Sequence, residues 1–206
     1  MPDCMIKVCG ITNAADAAAA VAAGATAIGF NFYPKSKRYI RPEEAAGIAA
    51  SLPICKVGVF VNESPAEVAR IAALVGLDVV QLHGEEGPED FPIGLRVWKA
   101  LRVDAGFTAS TVAPYSGAEA ILLDGPAGNE YGGAGKPFAW YMAADLPYRV
   151  ILAGGLDGSN VADAIETAHP WGVDACSRIE AAPGRKDKFK TEEFVKAARR
   201  AAGLGS

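Results

Sequence analysis

The feature of this sequence that most constrains its fold is a regular alternation of short apolar segments with helix-forming segments. Eight segments are predicted as strands, at residues 6–11, 27–32, 56–61, 79–83, 96–101, 120–125, 150–155 and 172–177. They are apolar almost throughout rather than at every second position, which is typical of parallel strands covered on both faces. The chain therefore reads as a series of consecutive β-α units.

The segments between the strands carry helix start and stop signals. Asn13 is a candidate N-cap for the alanine-rich segment that follows it, and Ser64 precedes a helix that is expected to end at Gly76. The weakest helical segment is "EEGPEDFPI", which Pro88 and Pro92 interrupt. The pattern predicts eight strands and about eight helices.

Two architectures accommodate such a repeat, a doubly wound open sheet and a closed (β/α)8 barrel. Eight units with no dinucleotide-binding fingerprint favour the barrel. A length of 206 residues lies near the lower limit for that fold, and no linker or shift in composition divides the chain. We therefore predict the α/β class and a single (β/α)8 TIM barrel, with residues 1–206 forming one domain.

Charge and composition argue against several classes of partner. The net charge is -4, and "GRKDKFK" is the only dense basic stretch, so we expect no nucleic-acid binding. The most apolar window, residues 14–30, consists mostly of alanine and glycine, and the N-terminus lacks a signal-peptide pattern, so we expect no membrane association and a cytoplasmic location. Four widely spaced cysteines and two histidines form no zinc pattern, so no metal is expected.

In a barrel of this type, catalytic groups lie at the carboxyl ends of the strands and in the loops that follow. The polar or reactive residues at those positions are Cys9, Arg38, His83, Asp124, Ser177 and Arg178. A strand cysteine is by itself more typical of a buried small apolar residue than of a catalyst. An aspartate after a strand can also be a simple loop-capping residue, and a histidine there is more often a hydrogen-bonding residue than a catalyst. These residue types alone leave both interpretations open.

The loops after the last two predicted strands carry a pattern typical of phosphate binding. "LAGGLDGSNV" contains the pair Gly154 and Gly155, and "CSRIEAAPGRKD" follows the next strand. Small residues here allow backbone N–H groups to approach an anion, as in the usual phosphate site of such barrels. The simpler interpretation is that the two glycines only permit a tight turn.

Several motifs occur together in one order, and as a set they resemble the phosphoribosylanthranilate isomerase family. They are "KVCGIT", "GFNFYPKSKRYI", "VGVFVN", "VQLHGEE", "ILLDG", "YGGAGKPFAW", "LAGGLDGSNV" and "GVDACSRIEAAPGRKD", and they extend from residue 6 to about residue 188. The resemblance implies a TIM barrel that converts N-(5-phosphoribosyl)anthranilate into the corresponding aminodeoxyribulose phosphate, a step of tryptophan biosynthesis. The substrate is thus a phosphorylated small molecule.

The resemblance also implies roles for individual residues. Cys9 corresponds to the general base of the family's K-x-C-G-I-T motif and Asp124 to the general acid of its L-L-D motif, while Arg38 corresponds to the arginine that holds the anthranilate carboxylate. The phosphate ligands would be Gly154, Gly155, Ser177 and Arg178. His83 has no role in these motifs and is expected, from its place at the end of a strand, to line the site. The family usually reads S-S-G-V-E where this chain has residues 176–180, so an arginine replaces a glycine at position 178.

The expected reaction is an Amadori rearrangement, which needs one acid and one base but neither a metal nor a cofactor. Asp124 must be partly protonated near neutral pH, which burial favours, and Cys9 must be a thiolate, which requires a lowered pKa. Lys7 is near Cys9 in sequence but is not assigned to that task. Cys4, Cys55 and Cys176 are interpreted as packing residues.

Two other interpretations compete with this one. The first is another phosphosugar isomerase or lyase of the same barrel type. The related histidine-pathway isomerases carry out similar chemistry but use two aspartates, whereas the first strand here supplies Cys9. A non-catalytic phosphate-binding protein would need neither Cys9 nor Asp124. We expect a monomer or a homodimer, and a glycine-rich loop, "GNEYGGAGK", that closes over the substrate.

Overall fold

The computed structural model describes residues 4–125 and 140–204, which fold as a closed barrel surrounded by helices. Its strands are β1 (Met5–Cys9), β2 (Ala27–Asn31), β3 (Cys55–Phe60), β4 (Val79–Leu82), β5 (Val97–Arg102), β6 (Ala120–Asp124), β7 (Val150–Leu152) and β8 (Gly172–Ala175), followed by a hairpin of β9 (Glu180–Ala182) and β10 (Arg185–Lys186). The helices are α1 (Ala14–Ala23), α2 (Pro42–Ala49), α3 (Pro65–Val75), α4 (Ala109–Val112), α5 (Val161–Ala168) and α6 (Lys188–Ala201).

The barrel prediction is confirmed. Strands β1 to β8 pair in chain order and all are parallel, and β8 closes the ring by pairing with β1. Most strands end one to three residues before their predicted ends. The largest difference is at β7, which ends at Leu152 because Gly154 and Gly155 turn the chain with φ of 81° and 74°.

Alternation along each strand separates two apolar cores. One set of side chains packs between the barrel and the helices, and it includes Ile6, Val8, Ile28 and Phe30. The other set fills the barrel interior and includes Ala27, Val57, Trp98 and Leu122. This double burial is the reason that the strands read as apolar almost throughout.

The helix prediction is partly correct. Asn13 and Ser64 cap α1 and α3 as expected, by accepting hydrogen bonds from Asp16 N at 2.9 Å and Glu67 N at 3.3 Å. The count of about eight helices is too high for the described residues, which contain six α-helices. The 3-10 turn Pro88–Asp90 separates β4 from β5, and among the described residues between β6 and β7 the only helical turn is the 3-10 turn Trp140–Ala143. Pro88 and Pro92 each lack the N–H that a continuing helix needs. The hairpin of β9 and β10 was not predicted.

Two further features bear on the predictions. Across the described ranges, no helix is both long and apolar enough to span a bilayer. The loop predicted to close over the substrate, residues 128–136, lies outside the described residues.

Candidate active site

A pocket at the carboxyl ends of the strands brings together all eight residues that the sequence singled out. It holds about 700 Å³ of space, part of which is open solvent. Its lining includes Cys9, Arg38, His83, Asp124, Gly154, Gly155, Ser177 and Arg178. These residues come from the ends of six different strands or from the loops beyond them, as the barrel rule predicts.

Cys9 is the last residue of β1, and its side chain faces the barrel interior, with only 8% of the residue exposed. Its register partner on β2 is Gly29. A Cβ at Gly29 would lie 2.8 Å from the Cys9 Sγ and 3.2 Å from the Lys7 Nζ. The missing side chain at Gly29 thus makes the space in which the thiol and the ammonium sit side by side.

Below Cys9, Lys7 and Asp174 form an ion pair inside the barrel, with the Lys7 Nζ 3.0 Å from the Asp174 Oδ1. Burial alone would lower the pKa of Lys7, but Asp174 and Cys9 outweigh burial and raise it, so Lys7 carries a positive charge. Burial raises the pKa of Asp174 to about 7, although Lys7 opposes this. Sequence reasoning did not assign Lys7 to lowering the Cys9 pKa, and the structure corrects that interpretation because Lys7 is one of the groups that lower it.

The pKa of the Cys9 thiol lies well below its ordinary value. The main cause is a hydrogen bond from Cys176; burial opposes it, and the charges of Lys7 and Lys186 add to it. The pKa of Cys176 is raised well above its ordinary value by the same hydrogen bond and by burial. Cys176, predicted to be a packing residue, is therefore the thiol neighbour of Cys9, and Cys9 has the surroundings that a thiolate requires.

Asp124 is the last residue of β6, three strands away from Cys9 around the barrel, and it is buried. Its Oδ2 lies 3.4 Å from the His83 Nε2, and the His83 Nδ1 lies 2.8 Å from the Gln81 Nε2. The Oε1 of Gln81 is buried and has no hydrogen-bond partner among the described residues. His83 and Gln81 thus form the side of the pocket next to the Asp124 carboxylate.

Gly154 does more than permit a turn. Its φ of 81° is in the left-handed region, and an added Cβ would lie 2.8 Å from the Asp124 Oδ1 and even closer to the backbone N of Gly125. Glycine is therefore required both by the backbone conformation and by the close approach of the Asp124 carboxylate.

Arg38 is held in place by Glu180. The guanidinium donates through Nη2 to the Glu180 Oε2 at 2.8 Å and through Nε to Oε1 at 3.1 Å. Lys186 also donates to Glu180, at 3.1 Å. Burial raises the pKa of Glu180, but the hydrogen bond from Arg38 and the two positive charges outweigh burial and lower it. Arg38 thus reaches the pocket wall as an ordered cation.

Ser177 and Arg178 lie in the 3-10 turn Ser177–Ile179 that follows β8. Among the described residues other than glycine, only Asn62 and His169 have a positive φ, so Arg178 occupies its position without left-handed strain. Its Nε donates to the Asp157 Oδ2 at 2.6 Å. The ion pair links the loop after β8 to the loop after β7.

The residues that sequence reasoning missed are Lys7, Gln81, Asp174, Cys176 and Glu180. Four of them share a signal, since they lie in a barrel strand or directly after one, two positions from another pocket residue: Lys7 from Cys9, Gln81 from His83, and Asp174 from Cys176. Lys7 and Asp174 are also charged residues within otherwise apolar strands. Such a residue needs a buried partner of opposite charge. Glu180 carries no comparable local signal.

Comparisons with known proteins agree with this site. The family model described as "PRAI: N-(5'phosphoribosyl)anthranilate (PRA) isomerase" matches residues 6–197. The N-(5'-phosphoribosyl)anthranilate isomerase of Solibacter usitatus (strain Ellin6076) is 59% identical over 199 residues, which is 97% of this chain and 99% of the relative.

Solved structures give the same result. The crystal structure of phosphoribosyl anthranilate isomerase from Thermotoga maritima has a TM-score of 0.88 and 42% identity, covering 96% of this chain and 99% of that chain. A second crystal structure, of the isomerase in complex with reduced 1-(o-carboxyphenylamino)-1-deoxyribulose 5-phosphate, has a TM-score of 0.83 and 40% identity over 96% of this chain and 99% of that chain. Because these matches extend over nearly its whole length, this chain belongs to the N-(5'-phosphoribosyl)anthranilate isomerase family.

Proposed function

We propose that Cys9 is the general base and Asp124 the general acid when this isomerase converts N-(5-phosphoribosyl)anthranilate into 1-(2-carboxyphenylamino)-1-deoxyribulose 5-phosphate. The isomerisation is the activity of the family and a step of tryptophan biosynthesis. The observation that carries the assignment is the lowered pKa of Cys9 in a pocket that also contains the buried Asp124.

In the first step, Asp124 donates a proton to the furanose ring oxygen. The bond between that oxygen and C1 of the sugar breaks, and the nitrogen lone pair forms a Schiff base with C1. Asp124 is placed for this task at the carboxyl end of β6, where it lines the pocket and its Oδ2 lies 3.4 Å from the His83 Nε2. The step leaves Asp124 as a carboxylate that can later take a proton back.

In the second step, the Cys9 thiolate removes the proton from C2. The electron pair of that C–H bond forms a C1–C2 double bond and the Schiff base becomes an amine. Transfer of the enol proton to C1 then gives the ketone at C2. Lys7 favours this step because its positive charge stabilises the thiolate before the proton is taken.

The remaining pocket residues bind and orient the substrate in this proposal. Arg38 takes the anthranilate carboxylate, which suits a guanidinium that Glu180 already holds in place. The phosphate is bound between the two loops after β7 and β8, by Gly154, Gly155, Ser177 and Arg178. His83 lines the side of the pocket next to Asp124.

The direct test is the fluorescence decay of freshly generated phosphoribosylanthranilate with wild type, Cys9→Ser and Asp124→Asn. We expect rapid decay with wild type and a loss of about 10²- to 10⁴-fold in each variant, the usual range for removal of an acid or base. Cys55→Ser is the matched control, because Cys55 is a partly buried thiol at the start of β3, outside the pocket.

Each result has a distinct meaning. Variants as active as wild type would show that the base and acid are other groups. If the folded wild type binds the product but does not convert the substrate, the alternative function is favoured, a phosphate-binding protein without catalytic activity.

We further propose that residues 1–206 form one domain and that the protein acts in the cytoplasm as a monomer or a homodimer, without a nucleic-acid or membrane partner. Analytical ultracentrifugation decides between the two oligomeric states. Far-ultraviolet circular dichroism and tryptophan fluorescence, followed through urea unfolding, should give coincident transitions for a single domain.

A further inference from the structure

Two cysteines of this chain lie next to each other in the pocket although 167 positions separate them in the sequence. Strands β1 and β8 pair in parallel, with Val8 opposite Ala175. Continuing that register by one residue sets Cys9 opposite Cys176. Both side chains face the barrel interior, because they lie two positions after the paired interior residues Lys7 and Asp174.

The spacing of neighbouring strands suits a covalent link between these two positions. Paired strands lie roughly 4.8 Å apart, and disulfide-bonded cysteines have Cα atoms about 4.4–6.8 Å apart. Both residues line the same pocket, and each sulfur lies beside a glycine: an added Cβ would be 2.8 Å from the Cys9 Sγ at Gly29 and 3.0 Å from the Cys176 Sγ at Gly10. Their sulfur atoms can therefore meet by side-chain rotation with little movement of the backbone.

The chemistry of the pair also favours oxidation. A thiolate reacts with peroxides much faster than a thiol does, and the surroundings of Cys9 favour its thiolate. Cys176 retains its proton and lies beside Cys9 as a resolving thiol. Both residues line the open pocket, so a small oxidant can reach them.

We propose that Cys9 and Cys176 form a reversible disulfide when the enzyme meets hydrogen peroxide. The Cys9 thiolate attacks one peroxide oxygen, the O–O bond breaks, and the products are a sulfenic acid at Cys9 and hydroxide. The Cys176 sulfur then attacks the Cys9 sulfur, the S–O bond breaks, and the departing hydroxide takes the Cys176 proton to form water. The first hydroxide takes up the proton that Cys9 released when it ionised, so overall two thiols lose two electrons and one peroxide is reduced to two waters.

In the disulfide, the electron pair of the Cys9 thiolate is used in the S–S bond, so Cys9 can no longer take the proton from C2 and the oxidised enzyme is inactive until a dithiol reductant restores the thiols. This consequence for activity rests on the proposed role of Cys9, whereas formation of the bond does not. The other two cysteines are poor candidates for the same reaction, because burial raises the pKa of both Cys4 and Cys55.

The test treats the whole protein with hydrogen peroxide and then blocks free thiols before peptide mapping by mass spectrometry. We expect a cross-linked pair of peptides containing Cys9 and Cys176, lighter by two hydrogen atoms than the reduced pair. Activity should fall in proportion to the fraction that is cross-linked, and dithiothreitol should restore it. Cys4→Ser and Cys55→Ser should behave like wild type.

Cys176→Ser is the deciding variant, with its activity compared only with its own untreated value. Without a resolving thiol, Cys9 should proceed to sulfinic acid, and dithiothreitol should no longer restore the activity that peroxide removed. Absence of the cross-linked peptides in oxidised wild type, or equal recovery in wild type and Cys176→Ser, would overturn the proposal. A disulfide that forms without loss of activity would support the disulfide and overturn the role of Cys9 as base.

Discussion

At the scale of single residues, the character of the site depends on how a buried thiol is kept charged. Burial alone raises a thiol pKa, as it does at Cys55. At Cys9 the same penalty is outweighed by the hydrogen bond from Cys176 and by the positive charges of Lys7 and Lys186. The charge of Lys7 is itself maintained by Asp174 at 3.0 Å. A chain of buried and half-buried partners thus stabilises the thiolate of Cys9.

The first prediction concerns the pH dependence of this thiol. Alkylation of Cys9 by iodoacetamide requires the thiolate, so its rate rises with pH through the Cys9 pKa. We expect the midpoint well below pH 9, and the acidic limb of kcat/KM should follow it. In Lys7→Met with Asp174→Asn, which removes the cation without leaving an unpaired carboxylate, the midpoint should move to higher pH.

Cys55 provides the internal control for that experiment. Its pKa is raised, so the midpoint of its alkylation rate should lie above pH 9 in both proteins. An unchanged Cys9 midpoint in the double variant would mean that Lys7 does not stabilise the thiolate.

The second prediction concerns Gly154. Alanine at this position must adopt a left-handed φ, which costs roughly 1–2 kcal/mol, and its Cβ would also press on Asp124. Gly76→Ala is the matched control, since Gly76 has a φ of 69° but no atom within 4 Å of an added Cβ. Urea unfolding should show a loss of stability in both variants, while kcat/KM should fall only in Gly154→Ala. Equal activity in both would show that Asp124 tolerates the displacement.

At the scale of elements, the loops after β7 and β8 are joined by an ion pair. The Arg178 Nε and the Asp157 Oδ2 are 2.6 Å apart, and the Asp157 pKa is lowered because Ser159 and Arg178 outweigh the effect of burial. The pair is partly exposed, so it contributes little to stability. Its consequence is instead to hold a guanidinium at the edge of the proposed phosphate site.

The third prediction follows from that position. In Arg178→Gly, the loss of one charge-assisted hydrogen bond to phosphate should raise KM about tenfold and leave kcat nearly unchanged. Lys196→Met is the control, because Lys196 is an exposed cation on α6 paired with Glu192 at 3.2 Å. A KM that is unchanged in Arg178→Gly would show that the arginine does not contact the substrate.

At the scale of the whole molecule, the barrel interior contains charge as well as apolar packing. Ala27, Val57, Trp98 and Leu122 pack inside the barrel, and Lys7 of the Lys7–Asp174 ion pair is the register partner of Ala27. Asp174 also lines the pocket, so the ion pair connects the packed interior with the site.

The fourth prediction concerns stability and pH. The Asp174 pKa is raised from 3.8 to about 7, so between these values the folded state binds a proton that the unfolded state has released. The free energy of unfolding, measured in urea against that of Asp174→Asn, should therefore fall as pH rises from about 4 to about 7. A difference that rises with pH would show that the ion pair with Lys7 outweighs burial at Asp174.

Sequence reasoning was accurate where the cause of a structure is local. The strands were found because burial on both faces requires continuous apolar runs, and the helix starts at Asn13 and Ser64 were found because a cap lies within three residues of the N–H that it accepts from. The segment between β4 and β5 was correctly predicted as the weakest helix, because Pro88 and Pro92 interrupt it locally; it contains only the 3-10 turn Pro88–Asp90.

The sequence by itself determined the eight barrel strands, the barrel, the family and eight of the residues that line the pocket. Only the tertiary structure decided which groups act on those residues: Asp174 on Lys7, Cys176 on Cys9, Glu180 on Arg38 and Asp157 on Arg178. The partners in these pairs are distant in sequence, up to 167 positions apart. Closure of the barrel sets β1 against β8, and a contact made by closure leaves no periodic pattern in the sequence on either side.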